Sequence, residues 1–353
     1  MDYTHKNEKV LQVKDLHVSF NTFGGVVQAV RGVSFDLYKG ETFAIVGESG
    51  SGKSVTNRAI IGILSKNGVI DKGEIIYNGE NVVKYTEAMF TEKIRGKAIS
   101  MVFQDPMSSL NPIMKIGKQI SEALVLNHGI SKSEAHNRVI QLMTDVGIPD
   151  AKLRANQYPF QFSGGMRQRI VIACALACEP NILICDEPTT ALDVTVQAQV
   201  LELIKKIQKN RNLTVILITH DLGVVANVAD RVAVMYAGKI VEMGTTDDIF
   251  YDPRHPYTWN LFAAMPDLET ESEDELISIP GTPPNMLFPP KGDAFAPRNK
   301  MAMRIDFEKE PPMFKISDTH SAATWLLHKD APKVEMPEIV RKRIETRHKG
   351  GIG

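Results

Sequence analysis

"GESGSGKS", Gly47–Ser54, is the stretch on which the reading of this chain turns. It fits the spacing G-x-x-x-x-G-K-[ST]. The apolar run "TFAIV" leads into it and the helical pattern "VTNRAIIGIL" follows. Strand, glycine loop and helix in that order make a cradle for phosphate. Gly47, Gly50 and Gly52 let the backbone curl with its N–H groups pointing inward, with Ser49 and Ser51 between them. The helix N-terminus adds a favourable dipole. Lys53 is placed to reach β- and γ-phosphates, and Ser54 to ligate Mg²⁺. The competing explanation is a glycine-rich turn that happens to carry a lysine. The strand and helix flanks argue against it.

Working outward, short β-branched runs alternate with helical patterns up to about residue 250. The strand candidates are "VLQVKDLHVSF", "TFAIVGE", "GEIIYNG", "AISMVFQ", "NILICDE", "TVILITH", "RVAVMYAG" and "KIVEMG". Several are continuous apolar runs, as strands buried on both faces should be. Helical patterns follow "GKS" and "SGGMRQR", and another is "TVQAQVLELIKKIQKN". The alternation predicts an α/β fold with a mostly parallel core sheet. Residues from about Ser108 to Asn156 read as a mostly helical insertion.

Acidic and polar groups stand at the ends of those strands. "ILICDE" ends in Asp186, suited to the Mg²⁺ shell, and Glu187, suited to act as general base on an attacking water. "ITHD" ends in His220, a candidate partner of the γ-phosphate, and "MVFQDP" presents Gln104 to the metal or the water. Each alone is unremarkable. Together, at the C-terminal ends of parallel strands, they occupy the expected place for a ligand. The stretch "QFSGGMRQRI", residues 161–170, is a second anion-binding candidate, with Ser163, Gly164 and Gly165 opening a helix. It carries no lysine, so the charge partner must lie elsewhere.

The 353 residues suffice for a large core and for two domains. A net charge of -1 argues against a dedicated nucleic-acid binder. Cys174, Cys178 and Cys185 lack framework spacing and sit in apolar runs, which predicts core packing in a reducing compartment. The first ten residues have no apolar signal region, and no run approaches the roughly 20 residues of a membrane span. The expectation is a soluble chain that meets a membrane only through a partner.

After about Tyr251 the texture changes. "DPRHPYTWNLFAAMP" is followed by the acidic "DLETESEDE" and then by the proline-rich "PGTPPNMLFPPKGDAFAPR". This reads as a small, irregular appended domain. The tail "VRKRIETRHKGGIG" is basic and reads as a frayed, solvated end.

The order of phosphate loop, Gln104, "FSGGM", "ILICDE", "ALD" and His220 resembles the ATP-binding subunits of ABC transporters over roughly residues 10–250. "FSGGMRQR" and "RHPYTWNLFAAMP" resemble the oligopeptide and dipeptide importers, in particular their D-type subunit. The resemblance implies an ABC ATPase core over 1–250, with a mostly parallel sheet, an antiparallel β-subdomain and a helical subdomain at about 106–160. It implies a peptide-importer extension over 251–330 and a tail over 331–353. It further implies ATP and Mg²⁺ as ligands and a head-to-tail dimer of ATPase subunits with ATP sandwiched at the seam. Gly47, Ser49, Gly50, Ser51, Gly52, Lys53 and Ser54 would bind ATP, with Ser54, Gln104 and Asp186 around the metal. Glu187 would be the catalytic carboxylate and His220 the switch histidine. Ser163, Gly164, Gly165 and Asp193 would act across the seam, and Phe20, or else Phe23, would stack on adenine. The implied partners are a second ATPase subunit, two transmembrane permease subunits and an extracytoplasmic peptide-binding protein, with this chain peripheral on the cytoplasmic face. Dipeptide, nickel or another small solute stays open as cargo.

Two departures stand out. Some relatives hold an iron–sulfur cluster on four cysteines in the extension, but the matching positions here are Asp293, Asn299, Asp306 and Thr324. None is a thiolate ligand, so no cluster is expected, and Phe295 and Trp325 are the expected packing anchors. Met166 stands where many relatives have glutamine, so the two ATP sites of a mixed dimer would differ. A soluble repair or ribosome-associated ATPase is disfavoured by the lack of sustained heptads and by the single cassette. A GTPase is disfavoured by the lack of Asn-Lys-x-Asp.

Overall fold

The computed structural model describes residues 8–190, 192–265 and 279–350. The acidic stretch at 267–275 and Ala191 of "ALD" lie outside the described residues. The strands are β1 (Lys9–Thr22), β2 (Gly25–Tyr38), β3 (Thr42–Val46), β4 (Gly68–Tyr77), β5 (Glu80–Asn81), β6 (Ile99–Val102), β7 (Ile182–Asp186), β8 (Thr214–Thr219), β9 (Arg231–Tyr236), β10 (Lys239–Thr245), β11 (Phe314–Lys315) and β12 (Ser321–Ala322). The helices are α1 (Lys53–Ile60), α2 (Glu87–Met89), α3 (Pro106–Ser109), α4 (Ile116–His128), α5 (Lys132–Asp145), α6 (Ala151–Arg154), α7 (Gly164–Leu176), α8 (Val194–Arg211), α9 (Leu222–Val228), α10 (Thr246–Tyr251), α11 (Pro256–Ala263), α12 (Arg304–Glu308) and α13 (Glu338–Gly350).

Among the described residues the strands form two sheets. One is antiparallel, in the order β2-β1-β4-β5. The other runs β11-β12-β10-β9-β3-β8-β7-β6 and is parallel from β9 to β6. The parallel strands are the continuous apolar runs. Every residue of "TFAIV", "ILICD" and "TVILIT" is buried. Strands covered on both faces have no polar side to present. In contrast, β1 and β2 alternate between exposed and buried side chains, as an antiparallel sheet with one wet face requires. Strand β2, "GVVQAVRGVSFDLY", was not singled out from sequence, because Arg31, Gly32 and Asp36 interrupt its apolar alternation.

The helical insertion predicted at 108–156 is present as α3 to α6. Ser131 caps α5 by accepting from the Glu134 N–H, and Gly129 ends α4 in the left-handed conformation. Three apolar clusters hold the molecule. The first joins α4, α5, α7 and α8 to β7 and β8. The second lies between the antiparallel sheet and the parallel one. The third joins β3 and β9 to α9, α10 and α11, and it also takes in Phe295, Val340 and Ile344.

That third cluster corrects two expectations. The extension adds β12 and β11 to the edge of the main sheet through pairing with β10, so it shares the cassette's sheet as well as its core. The buried pair His320 Nε2 and Glu242 Oε1, 2.9 Å apart, fastens this edge. The tail is not frayed over α13: Val340 and Ile344, four residues apart, are buried against the α11 region, and Arg343 donates to the Phe262 carbonyl. Its basic composition hid a two-residue apolar stripe. Phe295 is fully buried against Tyr236 and Tyr257, as an anchor should be. Trp325 is only half-buried and donates to the Lys309 carbonyl (2.9 Å), so it braces the local chain and not the core. Among the described residues no helix is long and apolar enough to cross a membrane.

Candidate active site

Strands β3, β8, β7 and β6 are neighbours in that order, so their C-terminal ends lie side by side. The phosphate loop leaves β3, His220 follows β8, Asp186 ends β7 with Glu187 next after it, and Gln104 follows β6. Parallel pairing alone brings residues more than a hundred positions apart to one rim. They surround a cleft of about 930 Å³ lined by the loop from Glu48 to Val55, by Ala29, Gln104, Glu187 and His220, and by Pro283 of the extension. The size suits a cofactor- or nucleotide-sized ligand.

The loop is held by backbone geometry that only glycine tolerates at two points. A Cβ on Gly47 would lie 2.1 Å from the Met235 carbonyl oxygen, and one on Gly52, at φ +101°, 2.5 Å from the Ala29 carbonyl oxygen. Lys53 is buried, and its Nζ donates to the carbonyls of Gly47 (2.8 Å) and Glu48 (2.9 Å). Burial holds this ammonium below the usual lysine range, against the raising pull of Glu187 and Asp186. An ammonium held on loop carbonyls at a helix N-terminus can exchange those partners for phosphate oxygens.

The Ser54 hydroxyl donates to Asp186 Oδ1 at 2.8 Å. Burial raises the Asp186 carboxyl above the ordinary range, and the Ser54 hydrogen bond opposes that rise. A serine hydroxyl, a carboxylate and the amide oxygen of Gln104 are hard oxygen donors, the set that suits Mg²⁺. Glu187 sits at φ +47°, with its N–H donated to the Ile218 carbonyl (3.0 Å). Its Oε2 accepts from Gln104 Nε2 (2.9 Å) and Thr190 Oγ1 (2.9 Å). Its Oε1 lies 3.7 Å from His220 Nδ1. One oxygen is thus tethered while the other faces the histidine.

Not every predicted residue is brought to this cleft. Ser163 caps α7, accepting from the Met166 N–H at 3.4 Å, and Asp193 caps α8, accepting from the Val196 N–H at 3.0 Å. Ser163, Gly164, Gly165 and Asp193 form a separate patch, where a Cβ on Gly165 would lie 2.4 Å from Val196 Cγ1. The ring of Phe20 packs against Gly68 of the antiparallel sheet and does not line the cleft, whereas Phe23 is fully exposed in the β1–β2 turn. The cysteines stay out of the site: Cys185 is buried within β7 and Cys178 accepts from Asn127 Nδ2 (3.0 Å). Sequence reasoning missed Thr190, although "DEPTT" places it three residues after Glu187. It also missed Pro283, for which no local pattern exists.

Comparison with known proteins agrees with this geometry. Residues 30–190 match the ABC transporter family and residues 241–305 match the oligopeptide/dipeptide transporter C-terminal region. An oligopeptide transport ATP-binding protein of Bacillus subtilis, OppD, is 62% identical over 95% of this chain and 94% of its own length. A dipeptide transport ATP-binding protein of Lactococcus lactis, DppD, is 60% identical over 95% of this chain and 96% of its own. A dimeric ATP-binding cassette solved in a post-hydrolysis state with ADP and Pi superimposes with a TM-score of 0.60 at 26% identity, over 67% of this chain and 98% of that one. With a phosphate loop, a strand-end histidine and an acidic strand end on one rim, and with relatives this similar along almost the entire sequence, the chain belongs to the oligopeptide/dipeptide family of ABC transporter ATP-binding subunits.

Proposed function

We propose that this chain binds and hydrolyses ATP in a head-to-tail dimer with a second ATPase subunit, and so powers a peptide importer. One observation carries the dimer: Ser163, Gly164, Gly165 and Asp193 lie outside the cleft that holds the phosphate loop, Gln104, Glu187 and His220. A second cassette facing this one would complete each site. Its Ser-Gly-Gly helix N-terminus would then supply N–H donors to the γ-phosphate, with no lysine needed.

The residues divide the work. The loop from Gly47 to Ser54 binds the phosphate chain, with Lys53 giving up its carbonyl partners to β- and γ-oxygens. Ser54, Gln104 and Asp186 would hold Mg²⁺, which neutralises phosphate charge when bound. Glu187 Oε2 is tethered by Gln104 and Thr190, which leaves Oε1 to take a proton from the attacking water. His220, at 3.7 Å from that oxygen, is placed to contact the γ-phosphate and report its loss. Of the two candidate adenine partners, Phe23 is free to stack, while Phe20 is occupied by Gly68.

The named relatives support peptides as cargo, with oligopeptide ahead of dipeptide or another small solute. The importer would be completed by two permease subunits fed by an extracytoplasmic binding protein. The chain would sit peripherally on the cytoplasmic face, as a 1–250 cassette, a 251–330 extension and a 331–353 tail. An iron–sulfur cluster is left out of this reading, because Asp293, Asn299, Asp306 and Thr324 offer no thiolate. Replacing Glu187 by Gln tests the chemistry. The variant should bind ATP, accumulate as a closed dimer with the second subunit, and lose hydrolysis by about 10²–10⁴-fold. Near-normal hydrolysis would remove Glu187 as the base.

A further inference from the structure

We propose that the C-terminal extension positions the phosphate loop of its own chain, with Arg298 as the positioning residue and Glu48 as its grip. Glu48 is the second residue of the loop, and it is 250 positions away in sequence. Its carboxylate receives both terminal nitrogens of Arg298, Nη1 to Oε2 at 2.6 Å and Nη2 to Oε1 at 3.0 Å. Its N–H donates to Tyr257 Oη at 2.7 Å, and its carbonyl accepts from Lys53 Nζ at 2.9 Å. Every polar group of this one loop residue is therefore engaged: the side chain by the extension, the N–H by α11, and the carbonyl by the phosphate-binding lysine itself.

Arg298 is built in as firmly as the loop it holds. It is 5% exposed. Its guanidinium lies over the rings of Tyr236 (5.7 Å) and Phe295 (5.9 Å). Besides Glu48, it donates to Tyr236 Oη (3.2 Å) and to the carbonyls of Pro280 (2.7 Å) and Ile279 (3.4 Å). Those carbonyls begin the segment that supplies Pro283 to the cleft wall. Three residues on, the Met286 carbonyl accepts from the Gln28 N–H at 3.0 Å. One planar fork thus ties the phosphate loop and a wall of the nucleotide cleft to the same point in the extension. A bidentate guanidinium–carboxylate pair fixes both distance and orientation, which a lysine cannot do.

The inference rests on the reading of this cleft as the ATP site, and the experiment separates the two. ATP affinity is measured by equilibrium dialysis with Mg²⁺-ATP on the full-length chain, for wild type, Arg298→Lys, Arg298→Ala, Glu48→Gln and the double variant Arg298→Ala/Glu48→Gln. Thermal midpoints are recorded alongside. Each single variant should weaken ATP binding by about 10- to 100-fold, the range of a charge-assisted buried pair. The double variant should lose little more than Arg298→Ala alone, because both members act through one contact. Arg298→Lys keeps the charge and most of the volume, and it should still weaken ATP binding with its thermal midpoint near that of wild type. Arg298→Lys and Glu48→Gln keep the measurement informative if Arg298→Ala does not fold. ATP affinity within twofold of wild type in both of these folded variants overturns the positioning role, as do losses that multiply in the double variant. Failure of the wild-type chain itself to bind Mg²⁺-ATP overturns the reading of the cleft, and the inference with it.

Discussion

Replacing Asp293 by Asn should change how stability depends on pH, by an amount the structure sets. Asp293 opens the turn that carries Phe295 and Arg298, and its Oδ1 accepts from the Phe295 N–H at 2.9 Å. It is buried, at 7% exposure. Burial pushes its carboxyl from 3.8 up to about 6; the Phe295 hydrogen bond opposes that rise and the Asp306 carboxylate adds to it. The folded value lies above the unfolded one, so the folded chain keeps a proton that the unfolded chain releases. Stability is therefore lost as pH rises from 3.8 towards about 6, and is constant above. At about 1.4 kcal/mol per pH unit the whole window is worth about 3 kcal/mol. About a third of it is already gone at pH 4.5, which leaves about 2 kcal/mol to be lost by pH 7.5. Asparagine keeps the acceptor and cannot ionise. For a chain of 353 residues, with an unfolding entropy of about 2.1 cal/mol/K per residue, 2 kcal/mol is about 3 °C in Tm. Scanning calorimetry at both pH values should show the Tm of Asp293→Asn gaining about 3 °C on wild type between pH 4.5 and pH 7.5. Any constant offset from the lost hydroxyl cancels in that comparison. A Tm difference that stays flat with pH would refute the buried, proton-holding carboxyl.

Gly52→Ala should abolish measurable ATP binding and lower stability by about 2 kcal/mol or more, since a Cβ there meets the Ala29 carbonyl at 2.5 Å from a left-handed backbone. Unchanged ATP affinity and Tm would show that the loop relaxes freely. Cys185 lies fully buried in β7 with its thiol pushed up to about 12 by burial, so iodoacetamide at neutral pH should leave it unmodified in the native chain and modify it after denaturation. Mass spectrometry reads the site directly, and fast native alkylation at Cys185 would contradict the packing of that strand.

Motif chemistry made much of the candidate site legible without coordinates. Glycine spacing, a strand-end Asp-Glu and a strand-end His are short-range patterns, and each sits at a strand terminus that its own apolar run announces. Thr190 was within reach of the same reasoning, being three residues beyond Glu187. Phe20 and Phe23 could not be separated by sequence, because an aromatic near a turn looks alike whether it faces ligand or sheet. The contact of the Phe20 ring with Gly68 depends on the register between β1 and β4. Arg298 was invisible for a different reason: its partner is 250 residues away, and nothing local distinguishes a buried guanidinium from a solvated one.

The amino-acid sequence alone determined an α/β core built around a phosphate loop, because short β-branched apolar runs alternate with helical patterns and because phosphate chemistry requires those residues at those spacings; the order of its motifs carried the resemblance to ABC ATPases. Only the tertiary structure decided how the extension joins the cassette. Proline, charge and irregularity made it read as an appended piece. In three dimensions it adds two strands to the main sheet, places Phe295 in the core and closes Arg298 on the phosphate loop. Such contacts come from long-range closure of the chain, where burial and charge pairing are settled by what arrives from elsewhere and not by neighbours in sequence.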